Sequence, residues 1–189
     1  MNKKTKISEI KKHLEAISDI LGIEETESNK DTPSRIARMW VNELFENHNR
    51  DREELDKVVT LFENNYDDYS EEFVIMKDIK FNSMCEHHWM PFFGTVNVGY
   101  IPDKTIIGLS KIPRVVRFFS RKPQLQENLT KEIGEYLVET LHPKALFVTV
   151  EATHTCVMCR GAESECTTKT KFCFGGNESY KEFLALCKG

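Results

Sequence analysis

Two short stretches of the chain carry residue types able to hold a metal ion. Cys85-Glu86-His87-His88 has Cys85 and His88 in C-x-x-H spacing, which lets one turn bring a thiolate and an imidazole onto a single ion. His154-Thr155-Cys156-Val157-Met158-Cys159 offers a second set, and on an extended strand His154 and Cys156 face the same side. A mixed sulfur and nitrogen donor set suits zinc, a borderline-soft ion without redox chemistry. Reduced core cysteines beside ordinary surface histidines are the plain alternative, and the clustering of both types in two places argues against it. Two kinds of zinc site remain open. Cys85, His88, Cys156 and Cys159 could close a structural Cys3His site, whereas three protein ligands would leave a fourth position for water. On a strand, the odd offset from Cys156 to Cys159 turns Cys159 to the opposite face, which favours the open arrangement. His87 and His154 are then available for proton transfer.

Cations gather near the same places. Lys111 and Arg114 stand three apart in Ser110-Lys111-Ile112-Pro113-Arg114, on one face of a helical turn, and Arg160 follows the second cluster directly. Arg35 and Arg38 share a face of an earlier helix, where a solvated surface is the simpler reading. Lys111, Arg114 and Arg160 suit a polyanionic substrate such as a nucleoside triphosphate. No G-x-x-x-x-G-K-[ST] loop is present, so side chains would hold the phosphates. Gln126-Glu127 opens the next helix. A carboxylate there is usually favoured by the helix dipole, and its functional reading is an acceptor for the N–H groups of a guanine edge.

The elements that must position these residues follow from periodicity. Ile7, Ile10, Leu14, Ile17 and Leu21 recur at helical spacing, and Thr32-Pro33 reads as an N-cap and first turn before Ile36, Met39, Trp40 and Leu44. A third short helix is expected over Leu55–Phe62, followed by an acidic loop, ENNYDDYSEE. From residue 72 the period becomes two. Phe73, Ile75, Ile79 and Phe81 predict a strand running to Cys85, and Phe93 to Ile101 a second. Helices are expected at Ser110–Ser120 and from Leu125 to Leu141, strands at 145–156 and 167–174, and a last helix bearing Phe183, Leu184 and Leu186. The class is α+β: an N-terminal helical region at 1–70, then a catalytic domain at 71–189 built as β-β-α-α-β-β with an antiparallel sheet and a C-terminal helix.

Composition limits the alternatives. The 189 residues carry 26 Lys+Arg against 30 Asp+Glu, a net charge of -4, which argues against a broad nucleic-acid footprint and leaves room for local basic clusters that bind a smaller anion. No run approaches the ~18 consecutive apolar residues of a membrane span. The lysine-rich N-terminus lacks the apolar stretch of about 7–15 residues found in signal peptides, so a cytoplasmic chain is expected. In that compartment the 6 cysteines stay reduced, and metal binding or chemistry explains their clustering better than disulfides.

The strings SMCEHHWMPFFGTVNVGYIP, IGLSKIPRVVRFFSRKPQLQENLT and ATHTCVMCRG, with TPSRIARMW near residue 32, resemble the GTP cyclohydrolase I family in consistent order over roughly residues 30–186. The resemblance implies the tunnelling fold, a toroidal homodecamer with sites at subunit boundaries, and a zinc cofactor. It implies Cys85, His88 and Cys156 as zinc ligands, and His87 and His154 as unligated catalytic histidines. Ser110, Lys111, Arg114 and Arg160 match substrate-binding positions, with the cations on the triphosphate, while Gln126 and Glu127 match a guanine-recognition pair. Arg35 matches a phosphate contact made across a subunit boundary, and Arg38 stands where the family often has Lys. The implied reaction converts GTP and water to 7,8-dihydroneopterin triphosphate and formate, an entry to tetrahydrofolate biosynthesis, deazaguanine nucleosides or tetrahydrobiopterin. Zinc would lower the pKa of a bound water toward ~7, His154 would protonate N7, His87 would assist, and Ser110 would hold the ribose. Cys159 is not a usual ligand of the family, and ESECTTKTKFCF departs from its relatives, so Cys166 and Cys173 receive no role.

Other functions fit less well. A structural zinc module needs Cys159 as a fourth ligand. A zinc deaminase needs H-x-E followed by P-C-x-x-C, which the order of Glu86 and the residue before Cys156 do not supply. The related nitrile reductases use a nucleophilic cysteine and a nicotinamide cofactor, and the full ligand trio favours zinc hydrolysis.

Overall fold

The computed structural model describes residues 1–65 and 72–188, so most of the acidic loop lies outside the described residues. The chain forms two compact units, Met1–Asn49 and Arg50–Gly189. In the first, α1 (Lys3–Ile20) starts at Asn2, whose side-chain oxygen accepts a 2.9 Å hydrogen bond from the Thr5 N–H. It packs on α2 (Thr32–Met39), which continues into a π-helical stretch, Trp40–Leu44. Asp31 occupies the N-cap of α2 and Pro33 lies in its first turn, one residue earlier than the Thr32 cap expected. Ile17, Ile20, Leu21 and Ile23 remain exposed.

The second unit is α+β. Its first helix, α3 (Arg52–Asp56), is short and buries Leu55 in the core of the sheet that follows, so residues 50–56 pack with the strands. Two three-residue strands absent from the sequence reading, β1 (Leu61–Glu63) and β4 (Thr105–Ile107), pair antiparallel. The main sheet contains β2 (Val74–Cys85), β3 (Pro91–Ile101), β5 (Pro123–Gln124), β6 (Ala145–His154) and β7 (Thr167–Phe174), in the order β5-β2-β3-β6-β7. All its pairings are antiparallel except one: β5 runs parallel to β2, with Cys85 opposite Gln124. The sheet is therefore mixed, a correction to the purely antiparallel expectation. Two residues after a helix are enough to make a parallel contact that periodicity cannot signal.

Two helices, α4 (Lys111–Ser120) and α5 (Gln126–Leu141), supply Val115, Val116, Leu129, Ile133 and Leu137 to a core shared with Val96, Val98, Val148 and Val150. A smaller cluster sets Phe183 of α7 (Asn177–Lys188) against Ile101, Ala145 and Phe147. Alternation along β6 explains the division: Leu146, Val148 and Val150 join the main core, and Ala145 and Phe147 the other.

β2 does not keep one alternation. Its pairing with β3 shifts between Met76 and Ile79, where Asp78 takes a left-handed backbone (φ 59°) and donates its N–H to Asn97 Oδ1 at 2.8 Å. The extra residue changes parity. Val74 and Met76 before it, and Ile79, Phe81 and Cys85 after it, all pack with the main core, while Phe73 and Ile75 join the cluster of α7. The unbroken period of two expected from Phe73 to Phe81 is thus corrected to two phases joined by a bulge, and the second phase delivers Cys85 to the α4–α5 side.

Candidate active site

Cys85, at the end of β2, is buried and begins a tight reversal into β3. Its N–H donates to the Met90 carbonyl and its carbonyl accepts from the Trp89 N–H, both at 2.8 Å. Trp89 takes a left-handed conformation (φ 49°) to close the turn, leaving His87 and His88 exposed on it. The Glu86 N–H donates to the Gln124 carbonyl at 3.0 Å, extending the parallel contact with β5. One end of the metal cluster is thereby tied to the segment that leads into α5.

The second cluster is only partly a strand. β6 ends at His154, and Thr155–Met158 forms a single helical turn, α6. The Thr155 hydroxyl donates to the Pro91 carbonyl at 2.6 Å, and the Cys159 N–H to the Thr155 carbonyl at 2.9 Å. The strand expected through residue 156 is therefore corrected: a local turn, pinned to β3, carries Cys156. The ligand atoms of Cys85, His88 and Cys156 lie within 4.8 Å of one another. Among the described residues no other His, Cys, Asp or Glu completes this group; Cys159 is exposed. Two thiols and one imidazole at this separation fit a zinc ion, and three protein ligands match the pattern that leaves a coordination position open. Burial, then the neighbouring Cys85 thiol, push the Cys156 thiol above its usual range, while the positive charge of Arg160 opposes the shift.

His154 is half-buried beside this cluster. Its ring stacks on Phe92, and its Nε2 lies 2.8 Å from Gln126 Oε1. Burial lowers its pKa, and the carboxylate of Glu127 pulls in the other direction. Gln126 itself is buried, and its Nε2 donates to the Val150 carbonyl, the Thr168 carbonyl and Thr170 Oγ1. Phe92, Thr168 and Thr170 were not among the residues singled out from sequence. The threonines belong to ESECTTKTKFCF, whose alternation signals a strand and gives no sign of a site.

Ser110 precedes α4 with helical backbone angles and makes no side-chain cap bond, so capping does not engage its hydroxyl. Lys111 opens that helix and Arg114 follows one turn later. Arg160 and Glu127 are exposed, and each is close enough to the site to influence the titration of Cys156 or His154. None of Lys111, Arg114 and Arg160 has an acidic partner among the described residues. Arg35 and Arg38 lie on α2, in the first unit, where Arg35 is 3.7 Å from Asp31 with both side chains exposed.

The sequence model of the GTP cyclohydrolase I family matches residues 8–186. The chain belongs to the GTP cyclohydrolase I family. Its relatives include the GTP cyclohydrolase 1 of Aquifex aeolicus (strain VF5), 46% identical with 86% of each chain covered. That of Porphyromonas gingivalis (strain ATCC 33277) is 39% identical over 98% of this chain and 96% of its own. That of Fusobacterium nucleatum subsp. nucleatum is 41% identical over 93% and 91%. Among solved structures, an archaeosine synthase QueF-Like in the apo form shares 20% identity over 54% of this GTP cyclohydrolase I family member and 94% of that chain, at a TM-score of 0.42.

Proposed function

We propose that this chain is a zinc-dependent GTP cyclohydrolase I, which opens the imidazole ring of GTP, releases formate and rearranges the product to 7,8-dihydroneopterin triphosphate. The observation that carries the reading is the convergence of Cys85, His88 and Cys156 within 4.8 Å, with His154 and Glu127 beside them, in a chain of this family. Cys85, His88 and Cys156 would hold the zinc, whose chemistry when bound is Lewis-acid activation for hydrolysis.

The chain's own residues supply the rest. Glu127, exposed at the start of α5, accepts from the N–H groups of the guanine edge. Lys111, Arg114 and Arg160 bind the triphosphate, where unpaired cations meet up to four negative charges. Ser110 holds the ribose. His154 exchanges a proton with N7 as the ring opens, and His87, exposed on the β2–β3 turn, assists later transfers. Burial weakens the hold of His154 on its proton, and Glu127 partly restores it.

In the same reading Arg35 and Arg38 reach the phosphates of a neighbouring subunit's site within a homodecamer. Exposure of Ile17, Ile20, Leu21 and Ile23 on the N-terminal helices supports burial against another copy. No helix among the described residues is long and apolar enough to cross a membrane, and a cytoplasmic location in pterin and one-carbon metabolism follows from the function proposed. The test is direct: incubate the purified protein with GTP, follow formate and pterin fluorescence, and repeat after chelation and after zinc is restored. Folded, zinc-loaded protein that yields no pterin refutes the reading.

A further inference from the structure

Gln126 opens α5 at a position where a substrate contact was expected, yet it is only 2% exposed. Its amide nitrogen has three neighbours within hydrogen-bond distance: the Val150 carbonyl at 3.2 Å, the Thr168 carbonyl at 3.0 Å and Thr170 Oγ1 at 3.2 Å. Two of these are backbone carbonyls, which only accept. Turning the amide over would set its oxygen against both and leave them unpaired in a buried place, which is strongly unfavourable. The orientation is therefore fixed by the strands, and Oε1 must face Nε2 of His154 at 2.8 Å. A carboxamide oxygen accepts and cannot donate, so the proton of that bond belongs to the histidine.

The support behind Gln126 is also built. The Thr130 hydroxyl donates to the Gln126 carbonyl at 2.7 Å and lies 2.6 Å from Thr170 Oγ1, so α5, β6 and β7 meet on one amide. Phe92 fixes the plane of the imidazole from the other side. We propose that Gln126 is a positioning residue, which holds His154 as the Nε2–H tautomer and leaves Nδ1 as the nitrogen that exchanges a proton with the substrate. The proton given to the purine leaves from Nδ1 of the imidazolium, the N–H bond electrons stay on Nδ1, and Nε2–H remains in place on Gln126. This rests on the ring-opening function proposed above. It replaces a direct contact of the Gln126 side chain with guanine by a contact with the catalytic histidine.

Two measurements test it. Magic-angle-spinning NMR of zinc-loaded protein labelled with 15N-histidine, with His154 assigned by its loss in His154→Gln, should show a protonated Nε2 and an unprotonated Nδ1 when the ring is neutral. In Gln126→Leu, kcat should fall about 10–100-fold, the range seen when a partner that orients a metal-ligating histidine is removed. KM for GTP should stay within about twofold, because the lost interaction is not with the ground-state substrate. An Nδ1–H ring in the unmutated protein overturns the proposal, and so does a Gln126→Leu enzyme with kcat retained and KM raised more than about tenfold. Should Gln126→Leu not fold, the spectrum of the unmutated protein decides alone. Absence of GTP turnover in the unmutated protein would strike the function proposed above, while the tautomer would still report on Gln126.

Discussion

The imidazole of His154 lies flat on the ring of Phe92, with centroids 4.5 Å apart and planes 4° from parallel. The two residues are opposite partners in the β3–β6 pairing, and Phe92 is fully buried in a T-shaped pair with Phe81. The sheet register thus sets the plane of the His154 imidazole, and Gln126 holds its edge.

Replacing Phe92 by Leu keeps an apolar side chain but removes the flat platform. Turnover should drop several-fold while folding loses only about 1–2 kcal/mol, whereas Phe92→Ala should cost about 3–5 kcal/mol. Steady-state kinetics and urea unfolding on the same samples separate the two effects. Unchanged kcat in the Leu variant would show that stacking plays no part.

The metal cluster predicts one zinc per chain, with occupancy lost in Cys85→Ser or Cys156→Ser. A thiol must surrender its proton to bind metal, and burial raises the Cys156 thiol. Metal affinity should therefore rise with pH, with protons released on binding. Elemental analysis gives the stoichiometry, and competition against a chelator at several pH values gives the slope. Affinity independent of pH would contradict the thiol ligands.

Gly94 sits on β3 opposite Ala152, and a Cβ there would run into the Glu151 backbone carbonyl. Gly94→Ala should destabilise by about 1–3 kcal/mol or more through forced separation of β3 and β6, despite the entropy gained against an unfolded glycine. Gly176→Ala, where nothing lies within 4 Å, is the control and should be near neutral. Denaturant midpoints that fail to separate the two would remove the steric argument.

Tyr136 donates to Asp56 at 2.8 Å and lies beneath the Arg52 guanidinium. Burial, then the Asp56 carboxylate, push its pKa up to about 12. A phenol whose folded pKa exceeds its unfolded value of ~10 stabilises the fold fully below pH ~10 and loses that contribution as pH rises toward ~12. After allowance for solvent screening the contribution is about 1 kcal/mol. Unfolding curves between those limits should show a steeper decline for the unmutated protein than for Tyr136→Phe.

Much of the site was legible because its chemistry sits in short strings. C-x-x-H at Cys85 and His88 and the spacing of His154 and Cys156 mark the candidate donors in the sequence, and the structure brings Cys85, His88 and Cys156 within 4.8 Å. The route was partly different: Cys156 stands on a helical turn whose anchor, the Pro91 carbonyl, lies 64 residues away and leaves no local trace. Gln126 reads from the sequence as half of a guanine-recognition pair, and its burial is not legible there because β6 and β7, which create it, are not placed over it by sequence alone. Long elements such as α5 and β7 were readable from periodicity. The two-residue β5 was not, since its existence depends on the strand beside it.

The bulge at Asp78 makes the direction in which Cys85 faces a matter of chain length. Cys85 at the end of β2 faces α4 and α5 because of how many residues precede it. Loss of one residue at that point would keep Cys85, His88 and Cys156 in the chain and turn Cys85 to the opposite side of the sheet. The number of residues upstream thus decides which side of the sheet Cys85 meets, although Asp78 itself lies outside the Cys85–His88–Cys156 group.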